Sequence, residues 1–328
     1  MNLIREIKLP NGRTTRNLGF GCAGILRLPL NWQRENLLRT AFDAGITHFD
    51  TARMYGAGAA EGILGTCLKK VRGDITLATK FGFPTGVPSP RKVLVQSVGR
   101  WAVNLVPGLK KRLRNKPQGG GDRHYDYSVK EMEGSLETSL AQLQTEQIDL
   151  FFVHEPRLRD TVPDDLGEEL ARQKKLGRIG GYGLSGIPAD VVHFLQQRPE
   201  LCADGIQYNF SLDRQSAVVP PRPMYTGAFH VLAGTLTPLA KWIETDKLGA
   251  RLWSEKLSLD LTKRDNLATA ILALALNENP ERMVLFFTTS APRLARMVKR
   301  LTDNSFSSEA LSEFRIALAN RAKEIYAM

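Results

Sequence analysis

The sequence HFDTARMYGAGAAEGILG occupies residues 48–65 and joins the end of an apolar segment to the start of a helix. The apolar residues 46–49 predict a short buried strand that ends at Asp50, and the glycines that follow lead into a helix carrying Glu61. Asp50 and Tyr55 therefore leave the strand end together. Because α/β enzymes carry their chemistry at the carboxyl ends of parallel strands, the stretch predicts such a fold with a functional site here.

The same alternation of strand and helix continues along the whole chain. Helical patterns separate eight short apolar segments, at residues 18–23, 46–50, 75–80, 148–153, 179–184, 205–207, 228–233 and 284–288. No acidic or Gly/Ser-rich linker interrupts them, which favours one parallel barrel over two domains. The sequence therefore predicts an α/β protein with a (β/α)8 TIM barrel, and residues 1–328 form its single domain.

The first residues predict a small addition to that barrel. Residues 5–14 contain Pro10, Asn11 and Gly12 between short strand-like segments, a pattern typical of a β-hairpin turning at Asn11-Gly12. We expect this N-terminal hairpin to cap the bottom of the barrel. Further along, Ser128 followed by Glu131 has the spacing of a capping box and predicts the start of a helix.

Composition places the chain among ordinary globular proteins. Of its 328 residues, 42% are hydrophobic and 24% are charged. No apolar run has the length of a signal peptide or a membrane span, so we expect a cytoplasmic protein. Cys22, Cys67 and Cys202 lie far apart without metal-ligand spacing, which predicts free thiols and no metal site.

The net charge of +11 comes mainly from one insertion after the third strand. Residues 84–123 contain nine Lys or Arg residues and a single acid, Asp122. The insertion has no recognisable nucleic-acid-binding fold around these charges, so we expect no nucleic-acid partner. Apolar residues fall near one helical stripe in it: Val95, Val98, Trp101, Leu105 and Leu109.

Two functions remain open for this basic insertion. A basic amphipathic helix with a Trp on its apolar side is typical of a peripheral membrane contact. A long loop at the active face of a barrel predicts a lid that controls substrate access, and we favour the lid. One apolar helix would serve both functions if it bridged an apolar or lipid-like substrate and a membrane surface.

Four side chains capable of catalysis stand at or just after predicted strand ends. These are Asp50, Tyr55, Lys80 and His154. A Lys at the end of an apolar strand needs a carboxylate partner, for which Asp50 is the candidate. We expect the paired Lys80 to lower the pKa of Tyr55, which then serves as general acid. A neutral His154 would hydrogen-bond the oxygen of a substrate carbonyl group.

The motifs around these residues resemble those of the aldo-keto reductase family. The resemblance is carried by DTARMYG at 50–56, EGILG at 61–65 and an apolar strand followed by HEP at 154–156. It implies a (β/α)8 barrel that reduces an aldehyde or ketone to an alcohol with NADPH, which leaves as NADP+. The catalytic tetrad that it implies consists of Asp50, Tyr55, Lys80 and His154.

The same resemblance implies residues for binding the nicotinamide half of the cofactor. The segments GRIGGYGLSG at 177–186 and IQYNFSLDR at 206–214 resemble the family's segments in this region. By that match Ser185 and Gln207 hydrogen-bond the nicotinamide carboxamide, and Asp50 lies near the ribose. Phe229, just before His230, would stack on the nicotinamide ring. His230 itself fits a structural role as well as a ligand contact.

The last strand resembles the family segment that holds the adenosine 2′-phosphate. FTTSAPR at 287–293 places Ser290 and Arg293 at the start of a helix. Helix N-termini and guanidinium groups both favour phosphate. The resemblance therefore implies NADPH in preference to NADH.

Two other functions fit the same fold. The first is a regulatory or redox-sensing module that binds a nicotinamide cofactor without turnover or with weak catalysis. The second is a different barrel enzyme, such as an aldolase, in which Lys80 forms a Schiff base. An intact tetrad argues against the regulatory module, and the aldolase leaves Tyr55 without a role.

Overall fold

The computed structural model of the chain describes residues 1–83, 125–212, 218, 220 and 222–327. The basic insertion at 84–123 lies outside these residues, so its predicted amphipathic helix, lid and membrane contact stay predictions. Within the described residues, no helix combines the length and apolarity needed to cross a membrane.

Eight parallel strands close into a barrel, as the sequence predicted. In chain order they are β3 (Leu18–Gly21), β4 (His48–Asp50), β5 (Thr76–Phe81), β6 (Leu150–His154), β7 (Tyr182–Gly186), β8 (Gly205–Asn209), β9 (Tyr225–Phe229) and β10 (Met283–Phe286). Each pairs with the next, and β10 pairs with β3 to close the barrel. The strands are buried apolar segments, which is the pattern expected when helices cover a parallel sheet.

The N-terminal hairpin is also present. Its strands β1 (Glu6–Lys8) and β2 (Thr14–Arg16) are antiparallel. Gly12 in the turn has a φ of 83°, a left-handed conformation that glycine adopts without strain. Ile7 and Leu9 pack among apolar residues of the barrel strands, including Leu150 and Met283. The hairpin therefore contributes directly to the core inside the barrel.

Helices surround the barrel. Those in the described residues are α1 (Asn31–Asp43), α2 (Ala59–Leu68), α3 (Val129–Leu143), α4 (Leu166–Lys175), α5 (Pro188–Gln197), α6 (Leu236–Thr245), α7 (Lys247–Lys256), α8 (Arg264–Glu278), α9 (Ala291–Thr302), α10 (Ser308–Asn320) and α11 (Ala322–Ala327). Helices α6 and α7 were not predicted. They follow β9, where the sequence had suggested only a strand and its connection.

The position of the seventh barrel strand was predicted wrongly. The apolar segment 228–233 was expected to form it, but β9 runs over Tyr225–Phe229. His230 has a φ of 58°, which takes the backbone out of the extended conformation, and the Gly234 amide then donates to the His230 carbonyl. The following apolar residue Val231 is fully buried without being in a strand. Apolar composition alone could not distinguish these two ways of burying the segment.

The start of α3 confirms only half of the predicted capping box. The Ser128 hydroxyl accepts a hydrogen bond from the Glu131 amide at 3.2 Å. The Glu131 carboxylate does not return to Ser128, because it accepts from the Ser135 hydroxyl at 2.8 Å. The Ser128 amide donates instead to Asp126, at 2.9 Å.

Close packing of α2 against α3 generates a prediction about two helical glycines. A methyl group at Gly65 would lie 2.2 Å from the Gln142 carbonyl oxygen, whereas nothing lies within 4 Å of one at Gly134. We expect Gly65→Ala to lower the free energy of unfolding by about 2 kcal/mol or more through overpacking. Gly134→Ala, the control on α3, should raise it by about 0.5–1 kcal/mol through helix propensity. Urea unfolding measures both, and equal effects would contradict the packing seen here.

Candidate active site

A buried ion pair lies at the carboxyl end of the barrel. Lys80 on β5 places its Nζ 2.5 Å from Asp50 Oδ1 on β4 and donates to the Thr51 carbonyl at 2.8 Å. The two charged residues are only 2% and 4% exposed. The structure thus brings together the pair that the sequence suggested, and both contacts use hydrogens of the Lys80 ammonium group.

Two further strands extend this pair into a hydrogen-bonded chain. Gln207 Nε2 donates to Asp50 Oδ2 at 2.9 Å, and the Ser185 hydroxyl donates to Gln207 Oε1 at 3.2 Å. Strand register explains the alignment, since Ser185 lies opposite Gln207 on the neighbouring strand. Four strands therefore hold both oxygens of Asp50 in a fixed orientation.

Tyr55 and His154 complete the cluster. Tyr55 begins a short 3-10 helix, Tyr55–Gly58, immediately before α2. Its ring centroid lies 5.5 Å from Lys80 Nζ and 5.9 Å from the His154 ring, which meets it edge-on at 80°. His154 is the last residue of β6 and is 4% exposed. The four predicted residues therefore meet at the barrel rim.

His154 has the predicted protonation state, but the pKa of Tyr55 differs from the prediction. Burial, followed by the Lys80 charge, lowers the pKa of His154 to about 3, so the imidazole is neutral as predicted. The pKa of Tyr55, however, is raised well above its usual value by burial and by the charges of Asp50 and Glu155. The predicted lowering is wrong because burial of the phenol, the largest cause, disfavours its charged form, and the negative charge of Asp50 acts in the same direction. Tyr55 is therefore a protonated phenol at neutral pH.

A second buried ion pair, which the sequence did not reveal, supports the Tyr55 loop. Arg53 Nη1 lies 2.7 Å from Glu61 Oε2 on α2, and both side chains are at most 3% exposed. Glu61 Oε1 accepts from the hydroxyls of Thr79 on β5 and Ser139 on α3, each at 2.7 Å. Glu61 thus ties the Tyr55 loop to the strand that carries Lys80. The sequence signal was an acid inside an apolar helix, but it did not identify the partners.

The residues expected at the nicotinamide differ in accessibility. Gln207 and Ser185 are buried, at 0% and 1% exposed. Both ends of the Gln207 amide are engaged, by Asp50 and by Ser185, and the Tyr225 hydroxyl lies beside it. Phe229 ends β9, is half-buried and contacts the His230 ring edge-on, with 5.0 Å between ring centroids.

The residues expected at the 2′-phosphate lie together at the start of α9. Ser290 caps this helix by accepting from the Arg293 amide at 3.4 Å. The Arg293 Nε lies 2.7 Å from Asp265, and its Nη1 donates to the Thr288 hydroxyl at 3.4 Å. A guanidinium group has five N–H donors, so these contacts leave Arg293 able to bind a phosphate as well.

The sequence of this chain is similar to those of known proteins. A profile of the Aldo/keto reductase family matches residues 18–220. The chain belongs to the aldo/keto reductase family. This aldo/keto reductase is 29% identical over 227 residues to a probable aldo-keto reductase 1 of Glycine max, covering 66% of the chain and 55% of that protein. It is 28% identical over 206 residues to an aldo-keto reductase of Schizosaccharomyces pombe whose name includes NADP(+). That match covers 61% of this chain and 51% of that protein. The matches thus span about half the length of these relatives.

Solved structures share the fold of this aldo/keto reductase. A glycerol dehydrogenase from Gluconobacter oxydans has a TM-score of 0.70 at 20% identity and covers 96% of this chain and 95% of its own. An aldo/keto reductase from Klebsiella pneumoniae, in complex with NADP and acetate, has a TM-score of 0.63 at 17% identity with the same coverage. At such identities the likeness establishes the fold only.

The Arg53–Glu61 pair generates a stability prediction. Glu61→Gln removes the negative charge that pairs with the buried Arg53 guanidinium, so we expect the free energy of unfolding to fall by about 3–5 kcal/mol. Glu255→Gln is the matched control, because Glu255 pairs with Arg251 in an exposed i,i+4 contact at 3.1 Å. The control should unfold like the wild type in urea. A Glu61→Gln protein as stable as the control would contradict the network.

Burial of His154 generates a prediction about pH. Its folded pKa is below the unfolded value, so protons bind preferentially to the unfolded chain and stability is lost as pH falls below about 6.5. Between pH 6.5 and 4.5 this residue alone should cost about 2 kcal/mol. His154→Gln should reduce the loss by that amount in urea unfolding at the two pH values. His193→Gln, which removes a surface imidazole, is the control and should leave the loss unchanged.

Proposed function

We propose that this aldo/keto reductase reduces an aldehyde or ketone to an alcohol with NADPH. The observation that carries the proposal is the Asp50–Lys80 ion pair at the barrel rim, with Tyr55 and His154 beside it. An acid, a neutral imidazole and a buried cation around one point fit the reduction of a polar C=O bond.

Each residue has a role in this proposal. The substrate oxygen lies between the Tyr55 hydroxyl and the His154 imidazole. His154, neutral at physiological pH, donates a hydrogen bond to that oxygen and fixes the carbonyl group. Tyr55 transfers its hydroxyl proton to the same oxygen as negative charge develops there. The Lys80 ammonium group, 5.5 Å from the centre of the phenol ring, offsets part of the cost that burial places on the phenolate that remains.

The nicotinamide cofactor supplies the hydride for the carbonyl carbon when it is bound. Gln207 and Ser185 would hold its carboxamide, Asp50 would lie near the ribose, and Phe229 would stack on the nicotinamide ring. Support comes from the position of Gln207 and Ser185 at the ends of neighbouring barrel strands, beside Asp50.

NADPH is the proposed form of the cofactor. Ser290 and Arg293, at the start of α9, would hold the 2′-phosphate through a hydroxyl and the free guanidinium donors. The names of relatives support the choice, since the Schizosaccharomyces pombe protein is named with NADP(+) and the Klebsiella pneumoniae structures contain NADP or NADPH.

The second candidate is a regulatory or redox-sensing module that binds the dinucleotide without turnover or with weak catalysis. Gln207 and Ser185 are buried and bonded to each other and to Asp50, which hinders the carboxamide contact that would place the nicotinamide for hydride transfer. An aldolase mechanism is disfavoured, because Lys80 Nζ is engaged by the Asp50 carboxylate and the Thr51 carbonyl and so is not placed to attack a carbonyl carbon.

The remaining predictions concern the basic insertion at 84–123 and the location of the protein in the cell. A lipid-like substrate, a lid and a peripheral membrane contact all depend on that insertion. They stay predictions, as does a cytoplasmic location.

The proposed activity is tested by mixing the purified protein with NADPH and a panel of aldehydes and following the cofactor absorbance. Tyr55→Phe removes only the proton donor, so we expect kcat to fall by about 10²-fold or more. The Kd of NADPH, measured by fluorescence, should not change. Tyr182→Phe is the matched control, because Tyr182 lies at the opposite end of β7 from Ser185.

Each alternative has its own result in that experiment. NADPH binding without turnover of any aldehyde would select the regulatory module. Turnover that Tyr55→Phe leaves unchanged would remove Tyr55 from the mechanism. Trapping of a carbonyl compound on Lys80 by borohydride would favour the aldolase.

A further inference from the structure

The connection from β3 to α1, residues 22–30, starts at the carboxyl end of the barrel. It contains a short 3-10 helix, Ile25–Arg27, whose last amide donates to the Gly24 carbonyl at 2.9 Å. Ile25 and Leu26 are fully buried, whereas Arg27 is exposed. Two buried side chains therefore anchor a turn that presents one arginine at the barrel rim.

On one side this connection packs against the proposed catalytic residues. The Cys22 amide donates to the Asp50 carbonyl at 2.8 Å. A methyl group at Gly56, the residue after Tyr55, would lie 2.5 Å from Leu26 Cδ1. The Leu26 side chain is thus in direct contact with the loop that carries Tyr55.

On the other side the connection packs against the segment that follows β10. A methyl group at Gly24 would lie 2.3 Å from the Phe287 ring, and the Arg27 guanidinium carbon lies 5.9 Å from the centroid of that ring. Arginine stacks on aromatic faces in this way. The next residue, Thr288, accepts a hydrogen bond from Arg293 at 3.4 Å. Arg27 therefore lies between the proposed catalytic residues and the proposed contacts of the 2′-phosphate.

The Arg27 guanidinium has no anionic partner among the residues that the structure describes. Arg34, the next arginine in the chain, differs because it is buried and donates to the carbonyls of Leu28 and Pro29, at 2.8 and 3.2 Å. Arg34 thus holds the backbone that follows Arg27. Stacking on Phe287 uses the face of the Arg27 guanidinium and leaves its N–H donors available to an anion.

The nicotinamide cofactor would bring an anion to this part of the rim. Its proposed contacts lie at its two ends: Ser185, Gln207 and Phe229 at the nicotinamide, and Ser290 and Arg293 at the 2′-phosphate. The diphosphate joins these ends and carries a negative charge on each phosphate, but none of the five residues would bind it. A guanidinium group matches phosphate oxygens with two parallel hydrogen bonds.

We propose that Arg27 binds the diphosphate of the cofactor. Phe287 would hold the guanidinium in place before the cofactor arrives, which reduces the entropy lost on binding. This inference rests on the proposed use of NADPH and adds a residue of the β3–α1 connection to the cofactor site.

The test measures binding by calorimetry and needs no turnover. Three ligands share the adenosine 2′-phosphate: NADP+, 2′-phospho-ADP-ribose, which lacks the nicotinamide, and 2′-AMP, which also lacks the diphosphate. We expect Arg27→Gln to raise the Kd of the first two by about tenfold or more, because charge-assisted hydrogen bonds are lost. The Kd of 2′-AMP should stay within about twofold of the wild type.

Two further variants serve as comparisons. Arg293→Gln should raise the Kd of all three ligands, since each carries the 2′-phosphate. Arg39 is an exposed arginine on α1, about 12 Å along the helix from its first residue, Asn31. Arg39→Gln removes the same charge and should change each Kd by less than about twofold. Binding of 2′-AMP by Arg27→Gln shows that this variant is folded.

Other results would overturn the assignment of Arg27. Equal weakening of all three ligands by Arg27→Gln would place Arg27 at the 2′-phosphate, and weakening of NADP+ alone would place it at the nicotinamide. Unchanged binding of NADP+ would remove Arg27 from the cofactor site. Each of these results leaves the proposed reductase intact. A wild-type protein that binds none of the three ligands would contradict both proposals.

Discussion

The buried ion pair between Asp50 and Lys80 is the constraint on which the site depends. Two opposite charges removed from water at the rim of an apolar barrel are tolerated only when each has well-placed partners. The structure supplies them: Lys80 also donates to the Thr51 carbonyl, and Asp50 accepts from Gln207. These bonds fix the ends of β4, β5 and β8 relative to one another, and Tyr55 and His154 lie beside the ion pair.

Burial decides the protonation of the two rings beside the pair, and each charge of the pair adds to it. Burial keeps Tyr55 as a phenol, with Asp50 acting in the same direction, and keeps His154 as a neutral imidazole, with Lys80 acting in the same direction. A proton donor and a hydrogen-bond donor are therefore ready at neutral pH without any change of charge in the free protein. The Arg53–Glu61 pair behind the loop holds Tyr55 in place relative to the strand that carries Lys80.

Much of this arrangement could be predicted from the sequence, because barrel strands are short apolar segments with functional residues at their ends. The pairing of Lys80 with Asp50 followed from a simple requirement, since a lysine at the end of a buried strand needs a carboxylate. The strand position was predicted wrongly where one apolar pattern can be buried in two different backbone conformations. The apolar residues 228–233 could be buried as a strand or as a turn, and only the backbone at His230 decides between them.

Other features depend on geometry that a single sequence does not contain. The pKa of Tyr55 depends on how deeply the phenol is buried and on how near Asp50 and Glu155 lie to it. The contact of Tyr125 with Glu155 joins residues 30 positions apart on either side of α3, and the left-handed φ of Glu155 leaves no signal in residue type. The partners of Glu61 could not be predicted either, because they too depend on the geometry of the fold.

In the proposed mechanism Asp50 and Lys80 act as one unit. A double-mutant cycle on single-turnover hydride transfer tests this coupling, with Asp50→Asn, Lys80→Met and the double variant followed by stopped-flow oxidation of bound NADPH. We expect strongly non-additive losses, with the double variant little slower than either single variant. Losses in transition-state free energy that add within about 0.5 kcal/mol would show that the two residues act independently.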